Sequence, residues 1–208
     1  MKTAAPKLYD QYFIQKEDER RELFRCLTEK YAGEKGLYPG SFVHITPSFY
    51  IPEMVYADTD KRCGEFFASS EVEKFICENK YYSGDSVYRF HAADFTKDID
   101  EPEGFFDLLI SLYSGFISQY CKKHLKTGGI LLTNNSHGDA SIASTDPDFR
   151  FVGAVKRRGD RFRIDESHLH LYFQKKNGTP IDKEKVFAKM KGEGFTKTAY
   201  AYLFEKVK

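Results

Sequence analysis

The spacing of apolar residues predicts helices at the start of the chain and an alternation of strands and helices after them. Residues 7–32 carry apolar side chains at helical intervals, which predicts one or two amphipathic helices that end before Gly33. Five short apolar segments then read as strands, near Leu37-Tyr38 and over 54–57, 87–92, 105–113 and 130–133. Helices are predicted between them over 61–78, with Asp60 as the N-cap, and over 116–125, with Thr127 to Gly129 as the stop.

The pattern changes after Asn135. Residues 150–165 predict a hairpin that turns at Arg158-Gly159-Asp160, and "HLHLYFQKK" alternates with period two, as a strand does. A helix over 182–191 and a final strand, "AYAYLFEKV", complete the chain. Strands that alternate with helices favour a parallel sheet, and the last third has antiparallel character. The sequence therefore predicts an α/β fold with a mostly parallel sheet and antiparallel C-terminal strands.

Composition narrows the class of protein. The chain has 208 residues, of which 41% are hydrophobic and 16% aromatic, enough for one domain with a substantial core. The net charge of +1 does not indicate nucleic acid or an anionic membrane as a partner. The four cysteines form no CxxC pair, which favours reduced thiols and a cytoplasmic location. There is no signal-peptide pattern, and no apolar run approaches the roughly 20 residues of a membrane-spanning helix.

Polar residues and glycine follow the predicted strands, where ligands bind in an open parallel sheet. After the first strand, Gly40 allows a sharp turn and a close approach because it has no Cβ. After the second, Asp58 lies 18 residues beyond Gly40, near the spacing at which a carboxylate accepts hydrogen bonds from both ribose hydroxyls. After the third, Asp94 can accept from an adenine amino group, and Phe95 can supply an apolar wall.

In order and spacing, these motifs over residues 35–135 resemble the class I S-adenosylmethionine-dependent methyltransferases. The resemblance implies a three-layer, Rossmann-like sandwich and S-adenosylmethionine as the cofactor of a methyltransferase. It divides a single domain over 1–208 into a helical N-terminal extension over 1–34, a cofactor-binding core over 35–135 and an antiparallel part over 136–208. The methyl acceptor, whether a small molecule or a macromolecule, and the oligomeric state stay open.

The resemblance also implies roles for individual residues after each strand. The loop after the first strand would wrap the amino-acid part of the cofactor, the acid after the second would hold the ribose, and the acid after the third would read the adenine. The end of the fourth strand would face both cofactor and substrate. In chain order these residues are Tyr38, Pro39, Gly40, Ser41, Asp58, Thr59, Asp94, Phe95, Leu112 and Tyr113.

The first loop departs from the family pattern, because it contains a single glycine. Only 13 residues separate Gly40 from Met54, and they include Pro47 and Pro52, so the sequence predicts a short crossover helix that starts at Thr46-Pro47. An alternative is therefore a catalytically inactive, methyltransferase-like binding or assembly module. Side chains of Tyr38, Phe42 or His44 that fill the cofactor pocket would favour it. A nicotinamide dinucleotide enzyme is disfavoured, because Gly-x-Gly-x-x-Gly is missing.

The loop "NNSHGDAS" is the most unusual polar cluster in the chain. His137 is a candidate general base, because histidine titrates near neutral pH, and Asp139 is a candidate to orient it. Asn135 lies in the same loop and completes the candidate catalytic set. The alternative is a loop whose polar side chains bind their own backbone and cap a short helix. His44, just after the glycine loop, is interpreted as a structural histidine in preference to a group of the cleft.

Two further groups of residues contain candidate ligands, a histidine pair and a basic hairpin. His168 and His170 would share one face of a strand, but no third ligand is evident, so no metal site is predicted. The basic hairpin residues could bind phosphate or an acidic partner, although a solvated hairpin is the commoner explanation. These residues are Arg157, Arg158, Arg161 and Arg163.

Overall fold

The computed structural model describes residues 3–208, which divide into two compact units, one that ends at Ile99 and one over Asp100–Lys208. The organisation as one domain with parts at 1–34, 35–135 and 136–208 stays a prediction, as does the cytoplasmic location. Within the described residues, no helix has the length and apolar character needed to cross a membrane.

The first unit begins with the predicted helices. Helix α1 (Lys7–Tyr9) continues into a π-helical turn (Asp10–Ile14), and α2 (Arg21–Lys30) follows. The ring of Tyr9 is fully buried and packs against the rings of Phe49 and Phe75. The apolar face of α2 is buried as its periodicity predicts, through Leu23, Phe24 and Leu27.

Three parallel strands form the sheet of the first unit. They are β1 (Lys35–Pro39), β2 (Glu53–Ala57) and β3 (Val87–His91), in the order β3-β2-β1. Pro39 lies opposite Ala57, and Ala57 lies opposite His91. The carboxyl ends of the three strands are therefore level, and the residues that follow them share one edge of the sheet.

The connections in this unit are short. The β1–β2 crossover contains only a 3₁₀ turn (Thr46–Phe49), which confirms the predicted effect of the two prolines. The single helix predicted over 61–78 is wrong, because it is split into α3 (Lys61–Phe67) and α4 (Ser70–Asn79). The hydroxyl of Ser69 accepts a hydrogen bond from the backbone N–H of Glu71 and starts a second helix. Asp60 caps α3 as predicted.

The second unit carries the change from parallel to antiparallel pairing. Two strands pair parallel, β4 (Phe106–Ser111) and β5 (Leu125–Thr133). Three more strands pair antiparallel, β6 (Phe149–Arg158), β7 (Arg161–Asp165) and β8 (Ala201–Lys206). The order in the sheet is β4-β5-β8-β6-β7. The predicted class, α/β with parallel strands and an antiparallel C-terminal part, is confirmed, and so is the hairpin turn at 158–160.

Two predictions in this unit are wrong. The helix over 116–125 is shorter, with α5 (Ile117–Tyr120) and a 3₁₀ turn (Lys122–His124), because β5 already begins at Leu125. Thr127 to Gly129 therefore lie within a strand and do not stop a helix. The strand over 168–176 is replaced by a 3₁₀ turn (Leu169–Leu171). His168 has a φ of 53°, which interrupts the extended chain, so His168 and His170 do not share a strand face.

The remaining helices of the second unit are α6 (Asp139–Ala143), which follows β5, and α7 (Lys183–Lys189), which precedes β8. Asp182 caps α7 by accepting a hydrogen bond from the backbone N–H of Lys185.

Candidate functional site

In the first unit, the glycine turn lies directly against the end of the neighbouring strand. Gly40 has a φ of 64°, in the left-handed region that glycine adopts without strain. Its backbone N–H donates to the carbonyl oxygen of Ala57 at 2.7 Å. Gly40 and Asp58, which follow two adjacent strands, therefore lie at the same edge of the sheet.

Asp58 holds this loop in place. One carboxylate oxygen accepts from the backbone N–H of Phe42 at 2.7 Å, and the other accepts from the N–H of Asp60 at 2.8 Å. A carboxylate offers about four lone-pair positions, so two backbone donors leave about two for further donors. The half-buried carboxylate is thus positioned by its own loop and keeps the capacity to accept from a pair of hydroxyls.

Asp94, at the end of the third strand, is arranged in a similar way. One carboxylate oxygen accepts from the backbone N–H of Thr96 at 2.9 Å and from its hydroxyl at 2.8 Å. These hydrogen bonds lower the pKa of Asp94, so the group is ionised at neutral pH. The second oxygen has no hydrogen-bond partner in the described chain. Phe95 beside it is half-buried, and Thr59 on the neighbouring loop is exposed.

The side chains of Tyr38 and His44 belong to the interior of this unit. Both are buried, the Tyr38 hydroxyl lies 3.3 Å from Nδ1 of His44, and Nε2 of His44 lies 3.0 Å from the carbonyl oxygen of Glu19. Burial, aided by the charge of Arg20, lowers the pKa of His44 well below its usual value, so the ring is neutral. Because a carbonyl can only accept, Nε2 carries the proton and Nδ1 accepts from Tyr38.

This geometry makes His44 a structural residue that joins the N-terminal segment to the loop after β1. Since the side chain of Tyr38 is buried, a contact from Tyr38 to a cofactor would have to come from its backbone. Ser41 is also buried, and its hydroxyl donates to the carbonyl oxygen of Phe42 at 3.1 Å. The ring of Phe42 packs edge-on against the ring of Tyr12, with 4.9 Å between the ring centres. The guanidinium of Arg62 lies 4.7 Å from the ring centre of Phe42.

In the second unit, the residues after β4 differ strongly in exposure. Leu112 is buried, whereas Tyr113 is 48% exposed. Tyr113 has a φ of 64°, which is costly for a residue with a side chain. The chain turns further at Gly115, with a φ of 113°. Residues with strained backbone conformations cluster at active sites and ligand-binding segments, so Tyr113 stays a candidate contact residue.

Asp139 is a buried carboxylate, and its hydrogen bonds go to serine and threonine residues and not to His137. It accepts hydrogen bonds from the hydroxyls of Ser111, Ser118 and Thr133 and from the backbone N–H of Ser118 at 3.2 Å. Burial nevertheless raises the pKa of Asp139 to about 6, against the lowering effect of these donors. Its hydrogen bonds join β4, α5, β5 and α6.

His137 is half-buried, and its Nδ1 lies 3.0 Å from the hydroxyl of Ser136. Since the carboxylate of Asp139 is occupied elsewhere, the loop does not bring these two residues together as a catalytic pair.

Asn135 also has a structural task. Its amide oxygen accepts from the backbone N–H and hydroxyl of Ser141 at 3.1 and 2.7 Å, and its amide nitrogen donates to the carbonyl oxygen of Glu193 at 3.1 Å. A Cβ on Gly192 would lie 2.3 Å from the side chain of Asn135. The side chain therefore links the loop after β5 to the segment after α7, and this link requires glycine at position 192.

Sequence reasoning missed Gly192 and the three hydroxyl residues around Asp139. The glycines on either side of Glu193, just beyond a helical segment, were a signal that another part of the chain approaches closely. Ser111 and Thr133 end adjacent parallel strands, but nothing local shows that their hydroxyls meet one carboxylate.

Comparisons with known proteins give similarity of structure only. Neither a protein-family model nor a curated protein matches the chain. Among solved structures, the chain is similar to an O-methyltransferase from Bacillus cereus in complex with SAH, at 11% identity over 70% of this chain and 77% of that one, with a TM-score of 0.49. It is also similar to the tRNA (m1A58) methyltransferase TrmI from Aquifex aeolicus. The identity is 14% over 91% of this chain and 69% of that one, and the TM-score is 0.48.

A third similar structure is an S-adenosylmethionine-dependent methyltransferase from Clostridium acetobutylicum, at 13% identity over 97% of both chains, with a TM-score of 0.45. Because all three TM-scores are below 0.5, these likenesses carry no argument about the family or activity of this chain.

Proposed function

We propose that this protein binds S-adenosylmethionine and is a methyltransferase whose acceptor is not identified. The observation that carries the proposal is the level edge of β1, β2 and β3. Gly40, Asp58 and Asp94 follow these three adjacent parallel strands. A glycine turn beside a carboxylate with spare lone pairs suits a nucleoside at the carboxyl ends of a parallel sheet.

In this proposal each side chain has a limited task. Asp58 accepts from the ribose hydroxyls, and Asp94 accepts from the adenine amino group beside Phe95. The backbone of Tyr38 to Ser41, which includes Pro39, bounds the amino-acid part of the cofactor. Thr59 flanks the ribose, and Leu112 and Tyr113 contact cofactor or acceptor. The cofactor supplies an electrophilic methyl group on a sulfonium centre, and the protein mainly has to orient an acceptor.

A base is needed only for an acceptor that keeps its proton at neutral pH. His137 is proposed for that role without Asp139, because its ring is partly accessible and its hydrogen-bond partner within residues 3–208 is Ser136 alone. Asn135 is proposed to hold the loop around His137 in place and not to touch the acceptor.

Calorimetry with S-adenosylhomocysteine tests cofactor binding. We expect the wild-type protein to bind and Asp58→Asn to bind about ten- to a hundredfold more weakly, because a hydrogen bond to a charged group contributes roughly 1.5–3 kcal/mol. The matched control is Asp60→Asn, two positions along the same loop, which removes the same charge and keeps an N-cap for α3. Its affinity should equal that of the wild type.

Asp58 also accepts from the backbone, so circular dichroism must show that Asp58→Asn is folded. Asp94→Asn is the second variant, because the amide oxygen can keep both hydrogen bonds from Thr96. A folded wild-type protein that binds neither S-adenosylmethionine nor S-adenosylhomocysteine would refute the proposal and leave the non-enzymatic binding module.

A further inference from the structure

The small net charge of the chain hides an uneven distribution. The unit Met1–Ile99 contains 14 Lys and Arg against 17 Asp and Glu, a net charge of −3, and Asp100–Lys208 contains 18 against 14, a net charge of +4. The net charge of the whole chain therefore averages over two units of opposite sign. The second unit has to be considered by itself.

The hairpin of β6 and β7 concentrates positive charge on one face. Arg158 lies directly opposite Arg161, and Lys156 lies directly opposite Arg163. Residues opposite each other in an antiparallel pair point to the same side, as do residues two apart along a strand. These four side chains therefore share one face, here termed the cationic hairpin face.

The other face of the hairpin is packed. It carries Val155 and Phe162, which are buried, and the guanidinium of Arg157 lies 5.3 Å from the ring centre of Phe162 and 5.5 Å from that of Tyr200. The hairpin is thus anchored through its apolar face, and the cationic hairpin face can be altered without touching the core.

The charges of the cationic hairpin face repel one another and destabilise the folded hairpin when no ligand is bound. Two pairs of like charges oppose each other directly, and such cross-strand pairs are destabilising. Lys156 forms an ion pair with Asp165 at the base of the hairpin. Arg158, Arg161 and Arg163 are exposed and form no ion pair within the described residues, although Asp160 lies in the turn. A bound polyanion would remove this repulsion.

We propose that the cationic hairpin face binds the phosphodiester backbone of a nucleic acid. Three of its four cations are arginines, whose planar guanidinium groups bind phosphate through paired hydrogen bonds. A two-stranded ribbon is narrow enough to enter the major groove of a B-form DNA duplex. The face has no aromatic ring to stack on a base and no amide to read one, so binding is independent of sequence.

A membrane surface fits this face less well. Peripheral membrane binding combines basic residues with apolar side chains that enter the bilayer. The tip of the hairpin is Arg158-Gly159-Asp160-Arg161, which has no apolar side chain to insert. The proposal does not rest on methyl transfer, because the binding assay contains no cofactor.

The test is the salt dependence of binding to a short fluorescent RNA duplex, a DNA duplex and a single-stranded RNA, measured by anisotropy. With three unpaired arginines we expect a slope of log K against log salt of about −2.7 on a DNA duplex, and roughly a fortyfold loss of affinity between about 50 and 200 mM salt. The double variant Arg161→Gln/Arg163→Gln should make the dependence shallower, with a slope of about −0.9.

The matched control is Lys30→Gln/Lys74→Gln, which removes two exposed positive charges from helices of the first unit and should bind as the wild type does. Thermal unfolding must show that both double variants are folded. The proposal is overturned if no nucleic acid binds, if the hairpin and control variants lose affinity equally, or if phosphatidylserine vesicles or polyglutamate bind more tightly through the same arginines.

Discussion

Replacement of Asp139 by asparagine removes the titration of a carboxyl group that is fully buried among hydrogen-bond donors. The change is nearly isosteric, and the site can adapt to it. The amide oxygen can accept from the backbone N–H of Ser118, and the amide nitrogen can donate to the hydroxyls of Ser111 and Thr133, which can accept as well as donate. We therefore expect Asp139→Asn to fold.

The two proteins should differ in how their stability depends on pH. Burial raises the pKa of Asp139 from 3.8 to about 6, so between these values the folded state binds more protons than the unfolded state. The stabilising contribution of this group is fully present below its unfolded pKa and is lost as pH rises through the folded pKa. By linkage, the wild type loses roughly 2–3 kcal/mol of unfolding free energy through this group between about pH 4 and pH 7.

Urea unfolding followed by far-ultraviolet circular dichroism at several pH values in that range measures the effect; the chain contains no tryptophan for fluorescence. The stability of Asp139→Asn relative to the wild type should rise with pH. The control is Asp165→Asn, because hydrogen bonds from Lys156 and Ser167 lower the pKa of that half-buried carboxylate, and its contribution is lost only at more acidic pH. A constant difference between Asp139→Asn and the wild type would refute the reasoning.

Two further stability predictions follow from other contacts. Gly192→Ala should lower the free energy of unfolding by about 1–3 kcal/mol, because its Cβ would lie 2.3 Å from Asn135, and urea unfolding should show no such loss for Gly194→Ala, where nothing lies within 4 Å. Arg161→Thr should raise thermal stability at low salt by about 0.2–1 kcal/mol, because it removes the repulsion of Arg158 across the hairpin. This gain should shrink at high salt, and a gain that is independent of salt would contradict the electrostatic explanation.

The candidate cofactor edge was accessible from local sequence. Gly40, Asp58 and Asp94 were found because apolar segments mark strands, and the residues that end parallel strands meet at one edge whatever their order in the sheet. The short β1–β2 crossover was equally local, since proline restricts the backbone of its own and the preceding residue. The carboxylates of Asp60 and Asp182 at helix starts follow the same short-range logic.

The structural role of the polar loop after β5 depends on contacts between residues that are distant in the sequence. Asp139 binds Ser111, 28 positions earlier, and Asn135 binds Glu193, 58 positions later. Periodicity and spacing describe neighbours along the chain, so they offered His137 and Asp139 as a pair when the fold instead satisfies the buried carboxylate with hydroxyls from other elements.

The same limit explains the elements that were predicted wrongly. A period-two pattern at 168–176 describes a strand only if a neighbouring strand supplies hydrogen bonds, and here a left-handed His168 turns the chain away. The opposition of Arg158 to Arg161 likewise depends on the register of two paired strands. Local hydrophobicity and backbone restriction therefore determined which segments form and where most of them end, whereas the pairing of strands and the burial of charge decided what the polar residues between them do.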